Sequence, residues 1–179
     1  MKKTLLLLFI STIILKCSTV EEFKGVKIRQ YASSVLSFSS QWSSTNWSAS
    51  KITGEEDVYP DYGDISNSWA TATADGQREF IIVGFEPHQT IHTIEIFETY
   101  NPGAIDTVYI RNAGTGKWQK IYSKPARTDL PKESRIFSIY FRETTYLVDA
   151  VRLALNSPAV EGWNEIDAVA ISGQQENNP

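Results

Sequence analysis

From Glu79 onward the chain is written in short runs of period two, and nothing in that stretch repeats with the 3.6-residue period of an amphipathic helix. "EFIIVGF" (79–85) is apolar almost throughout and fits a strand covered on both faces. "TIHTIEIFETY" (90–100) sets Ile94 and Ile96 on one face, with Glu95 and Phe97 on the other. "IDTVYIRN", "KWQKIYS", "SRIFSIYF", "VDAVRLAL" and "IDAVAISG" continue the series. Turn signals cut between them: Asn101-Pro102-Gly103, Gly114-Thr115-Gly116, Pro131, and Pro158 through Gly162. Many short strands at near-regular spacing predict an all-β chain, an antiparallel β-sandwich. A jelly roll is the expected version, since its two packed sheets limit exposed edges.

The N-terminus does not belong to that pattern. Lys2 and Lys3 precede an apolar run from Leu5 to Leu15, broken only by Ser11 and Thr12. A basic start and a short apolar stretch read as an export signal, and the run falls short of the about 20 apolar residues of a membrane span. Cys17 is the only cysteine, so no intrachain disulfide can staple the domain and its core must hold it. Its place just past the apolar run resembles that of the lipid-modified cysteine of bacterial lipoproteins, although Lys16 stands where a small residue is usual. The expectation is an exported chain, either anchored to a membrane through acyl chains on Cys17 or simply periplasmic or secreted. With 179 residues there is room for one domain. The expected division is an export segment over 1–17, a tether over 18–34, the sandwich over 35–173 and a polar tail over 174–179.

Charge narrows the partners. The formal net charge is -4, and removing Lys2, Lys3 and Lys16 with the export segment takes it to -7. An acidic module without a basic stripe does not bind nucleic acid, whose phosphates would repel it. Catalytic motifs are missing as well: there is no Gly-x-Ser-x-Gly elbow, no Gly-rich Lys loop for phosphates and no His-Glu-x-x-His helix. His88 and His92 straddle a Pro-led turn into a strand, where alternation denies them the shared face of a helical metal pair. The sequence therefore reads as a binding module and not as an enzyme.

Two features carry candidate chemistry. Acidic loops are one: "GEEDVYPDYGD" holds Asp57 and Asp64, and "VEGWNEID" holds Glu165 ahead of the last strand. Hard oxygen ligands on irregular loops suit Ca²⁺, and the same residues also serve as solvated turn chemistry. Aromatic rings are the other. Trp42, Trp47, Tyr59, Tyr62, Trp69, Tyr100 and Trp163 fall in or near expected loops. Such rings either plug the ends of a core or stack on the C–H faces of sugars, with neighbouring amides and carboxylates taking hydroxyl hydrogen bonds. The expected ligand-binding set is Trp47, Tyr62, Tyr100, Asn101, Trp163 and Asn164. The expected partner is a glycan or a cell-surface protein, with the membrane reached only through the lipid anchor.

Several stretches together point to one family. "SSQWSS", "EDVYPDYGDISNSWA", "EFIIVGF", "IEIFETYNPGAI" and "GWNEIDAVAISG" resemble the galactose-binding-like domain of the discoidin (coagulation-factor C-type) superfamily. The nearest branch is the discoidin-like module of F-box/leucine-rich-repeat and pappalysin-type proteins. The resemblance covers residues 35–173 and implies a non-catalytic sandwich that binds glycans, lipids or proteins. It also implies a structural Ca²⁺ held by Glu165, at the position of the family's last-strand glutamate, together with Asp57 and Asp64 from the loop before Trp69. Here the family's Asp-Gly loop is replaced by a longer Pro-Asp-Tyr-Gly-Asp turn. In "ETYNPG", Glu98 and Asn101 either satisfy the backbone of the turn or leave Tyr100 bordering a binding surface.

Overall fold

The structure, a computed structural model, describes residues 26–175; the export segment with Cys17, the first part of the expected tether (18–25) and the end of the polar tail lie outside the described residues. Eight strands are present: β1 (Val26–Tyr31), β2 (Ser34–Phe38), β3 (Glu79–Tyr100), β4 (Ile105–Asn112), β5 (Trp118–Ser123), β6 (Arg135–Tyr140), β7 (Val148–Leu155) and β8 (Glu165–Gln175). Every pairing is antiparallel. One sheet runs β1-β8-β3-β6 and the other β2-β3-β7-β4-β5. The two sheets make the sandwich that the period-two pattern predicts.

β3 belongs to both sheets. The two runs read separately in the sequence are one long strand whose first half pairs with β2 and β7 and whose second half pairs with β8 and β6. The register shifts between Gly84 and Gln89, around Pro87, which has no N–H to give to a ladder. Inward-facing residues then follow the pleat: Ile81, Val83 and Phe85 from one half, Ile94 and Ile96 from the other. They meet Val108 and Ile110 of β4 and Val151, Leu153 and Leu155 of β7 in one core. Phe80 and Ile82 are only half-buried, so "EFIIVGF" is covered on one face and not on two.

The segment expected to be a tether is partly strand. Residues 26–31 form β1, which pairs with β8 from Val26↔Gln175 to Tyr31↔Ala170 and closes one edge of its sheet. Its mixed charge hid it, because an edge strand presents polar side chains to water. β8 correspondingly runs past residue 173 to Gln175.

A bulge in β8 sets the geometry of the site. Phe97 pairs with Ala168 and Glu98 with Ile166, which leaves Asp167 as the extra residue. The bulge flips the alternation, so Ile166 shares the inner face with Val169 and Ile171, while Ala168 and Ala170 lie outside with Phe97. Asp167 fills the kink with hydrogen bonds. Its carboxylate accepts from the backbone N–H groups of Val58 at 3.1 Å and Tyr59 at 2.8 Å, with a longer bond from Asp57 at 3.3 Å. A loop over a hundred residues away in sequence is thereby tied to the start of the final strand.

Candidate functional site

The end of β3, the start of β8 and the long loop between β2 and β3 meet at one end of the sandwich. Trp69 anchors that loop. Its ring is fully buried, its indole N–H donates to the Ser40 carbonyl at 3.1 Å, and its backbone bridges Ile166 in both directions. The turn after β3 is fixed by the groups that make "ETYNPG" unusual. Buried Glu98 accepts from the Gly103 N–H at 2.8 Å and from Arg135 Nε at 2.7 Å. Gly103 has φ of 117°, and a Cβ there would lie 2.2 Å from the Arg127 carbonyl oxygen, so only glycine fits. Asn101, at φ of 39°, donates from Nδ2 to the Trp163 carbonyl and accepts the Tyr62 hydroxyl at Oδ1. Asn164 returns a bond from its Nδ2 to the Asn101 carbonyl at 2.9 Å.

Four of the six expected ligand residues thus form a cross-braced cluster. Tyr62 and Tyr100 pack at 5.4 Å between ring centroids, and both functional groups of the Asn101 amide are occupied. These residues hold the β3 turn to the loop before β8. These residues, expected at a ligand, also brace the turn, because a short polar turn needs its backbone groups satisfied.

The other two, Trp47 and Trp163, line a recess together with Trp42, Ala70, Asp64 and Glu165; its volume is about 60 Å³. Trp42 is 51% exposed and stands edge-on to both neighbours, 6.4 Å and 78° from Trp47, 5.3 Å and 89° from Trp163. The three rings therefore meet as walls and not as a stack. Trp163 is oriented by its indole N–H, which donates to the Thr71 carbonyl at 3.1 Å. Trp47 is held at φ of 49°, an uncommon backbone conformation for a bulky residue, by hydrogen bonds of its own N–H to Ser66 and its carbonyl to Ala70. Trp42 belongs to this wall although the sequence reading left it out of the ligand set. Nothing in "SSQWSS" separates an exposed ring from a buried one.

Glu165 forms the floor. It is 1% exposed, its Oε2 accepts the Ile65 N–H at 3.3 Å, and its Oε1 has no hydrogen-bond partner. Burial, and then the adjacent Asp64 carboxyl, push its pKa up to about 9, while the Ile65 N–H and the Trp47 indole favour the ionised form. At neutral pH the pair is a protonated acid beside a second carboxyl.

The expected Ca²⁺ set is not assembled. Asp64 and Glu165 come together, but Asp57 lies apart, its carboxylate accepting from Asn67 at 3.1 Å and its N–H engaged by Asp167. Among the described residues no group of three or more His, Cys, Asp or Glu side chains gathers in a metal-holding arrangement. The loop-to-strand tie expected of an ion is made by hydrogen bonds from the loop backbone to Asp167 and Glu165.

Comparison with known proteins follows the same lines. The chain is 22% identical over 184 residues to F-box/LRR-repeat protein 4 of Bos taurus, a match that spans 85% of this chain and 30% of that relative. The chitosan-binding module 1 of a Paenibacillus sp. IK-5 chitosanase/glucanase superimposes with a TM-score of 0.58 at 16% identity, covering 79% of this chain and 96% of the module. A family 32 CBM from C. perfringens in complex with galactose gives 0.52 at 14% identity, over 81% and 99%. At such identities these two structures establish the galactose-binding-like sandwich alone. The family model described as "Pappalysin-1, SD scarf domain, C-terminal" matches residues 22–179, and the chain belongs to that family.

Proposed function

We propose that this chain is a non-catalytic carbohydrate-binding module whose ligand lies across Trp42, Trp47 and Trp163. The observation that carries the reading is the three-tryptophan recess with a polar floor, open at the loop end of a rigid sandwich. Exposed indole faces cover the apolar faces of a sugar ring, and a carboxyl pair takes hydroxyl hydrogen bonds. Support comes from the two superimposable proteins described as a chitosan-binding module and as a galactose complex. A hydrolytic reading fares worse: Asp64 and Glu165 are hydrogen-bonded neighbours, whereas glycosidase carboxyls stand about 5 Å or more apart across the scissile bond.

Calorimetric titration with a panel of neutral and amino sugars tests the proposal. Trp163→Ala removes one wall and is expected to weaken binding of the active sugar by about tenfold, the worth of one good stacking contact, while leaving the circular dichroism spectrum unchanged. No heat from any sugar, with a purified protein partner instead competing at Trp42, would turn the reading into that of a protein-interaction module using the same loops.

The module works outside the cell in this reading, through the export segment and Cys17. Cys17→Ser is expected to release the protein from the membrane fraction and to abolish labelling by a fatty-acid analogue. Unchanged fractionation and no label on the native chain would leave a periplasmic or secreted protein with no anchor.

A further inference from the structure

The recess has a composition that a neutral sugar does not require. Three indole walls surround two carboxyl groups, and its lining contains no Lys, Arg or His. Five arginines are paired away from it: Arg29 with Glu95, Arg78 with Asp106, Arg111 with Asp149, Arg127 with Asp129, Arg135 with Glu98. None of the ion pairs involves Asp64 or Glu165. Within the recess the buried Glu165 Oε1 lacks a hydrogen-bond partner. An acceptor left open at the bottom of a cavity is unfavourable unless something enters to use it.

We propose that this recess takes an organic ammonium group, with Trp42, Trp47 and Trp163 as its aromatic walls, the Asp64 carboxylate as its counter-charge and the open Glu165 oxygen as a hydrogen-bond acceptor. The inference rests on the recess being the binding site and names the class of group that enters it. Indole faces attract cations through the ring quadrupole, more strongly where the cation is desolvated. An ammonium N–H supplies the donor that Glu165 Oε1 lacks, and charge-assisted bonds are roughly twice as strong as neutral ones. Size agrees: about 60 Å³ holds roughly four or five water-sized groups, enough for an ammonium and its adjacent carbons. The remainder of the ligand then lies outside, over the exposed Trp42 face. The amine of a deacetylated amino sugar and a quaternary trimethylammonium head share this chemistry, and the titration separates them.

The experiment compares three ligands in calorimetry with a chelator present: glucosamine oligomers at a pH that keeps their amines protonated, N-acetylglucosamine oligomers of equal length, and tetramethylammonium. The expected result is at least tenfold tighter binding of the glucosamine oligomer than of its acetylated counterpart. In the Asp64→Asn/Glu165→Gln double variant that preference disappears, while its melting transition stays cooperative. Competition by millimolar tetramethylammonium would show that the cage reads the charge itself. Failure of that competition, with the glucosamine preference intact, would assign the site to primary amines. Equal affinity for charged and acetylated oligomers would overturn the ammonium proposal and leave the carbohydrate reading standing. No binding of any of the three, alongside binding of another neutral sugar at the same tryptophans, would overturn it in the same way.

Discussion

Replacing Arg135 by Met is expected to destabilise the protein by about 3–5 kcal/mol, the cost of stranding a buried carboxylate. Glu98 is 2% exposed, and Arg135 Nε and Nη2 reach its Oε2 at 2.7 and 2.6 Å. Burial pushes the Glu98 carboxyl up from its ordinary value, and Arg135 with the Gly103 N–H draws it back. Methionine fills a similar length without charge, so the loss isolates the ion pair. For a domain of this size it corresponds to a fall in Tm of the order of 10 °C. The double variant Glu98→Gln/Arg135→Met should recover a large share, because two partners of one buried pair are coupled. Chemical denaturation of the native protein, the two single variants Glu98→Gln and Arg135→Met, and the double variant checks this. A single-variant loss under about 1 kcal/mol would mean that water already reaches Glu98.

The second large effect is a pH dependence. Stability should decline as pH rises from about 6 to 8.5, and Glu165→Gln should remove most of the decline. In the unfolded chain Glu165 titrates near the ordinary value of 4.5, and in the folded chain near about 9. Between those values the native state holds a proton that the unfolded state has released. The stabilisation is complete at low pH, below the unfolded value, and is lost as pH climbs toward the folded one. The slope for one such group approaches about 1.4 kcal/mol per pH unit. Glutamine copies the protonated acid, and so should match the native protein near pH 4 and exceed it by a margin that grows toward pH 8.5. Parallel pH profiles for the two proteins would show that Glu165 is ionised in the native state.

How much of this was visible in the sequence differs from element to element. β4 and β7 alternate over Val108–Ile110 and Val151–Leu155, and that period names them in the sequence. β1 was hidden because an edge strand buries little and so keeps a tether's composition. The bulge at Asp167 was hidden for another reason. "EIDAVAISG" alternates perfectly well without it, and only pairing with β3 reveals the extra residue. The site divides along the same line. That tryptophans and carboxyls would gather at the loops followed from their position between strands. Which rings would face a ligand depended on contacts between residues far apart in sequence. Trp69 and Trp47 look alike in the sequence, yet one is pinned in the core by Ser40 and Ile166 and the other lines the recess. Asp57 and Asp64 sit in one acidic run, but hydrogen bonds to Asp167 and Asn67 fix the first and leave the second beside Glu165.

The five tryptophans offer the most direct test of where a ligand binds, since each contributes one indole N–H resonance to a nitrogen-correlated spectrum. Sugar is titrated into labelled protein, with the five signals assigned by single Trp→Phe variants. The account predicts that Trp42, Trp47 and Trp163 shift together with one saturation curve. Trp69, sealed in the core, and Trp118, at the start of β5, should stay still. Saturable binding that moves Trp118 or leaves the three recess indoles unchanged would contradict the account.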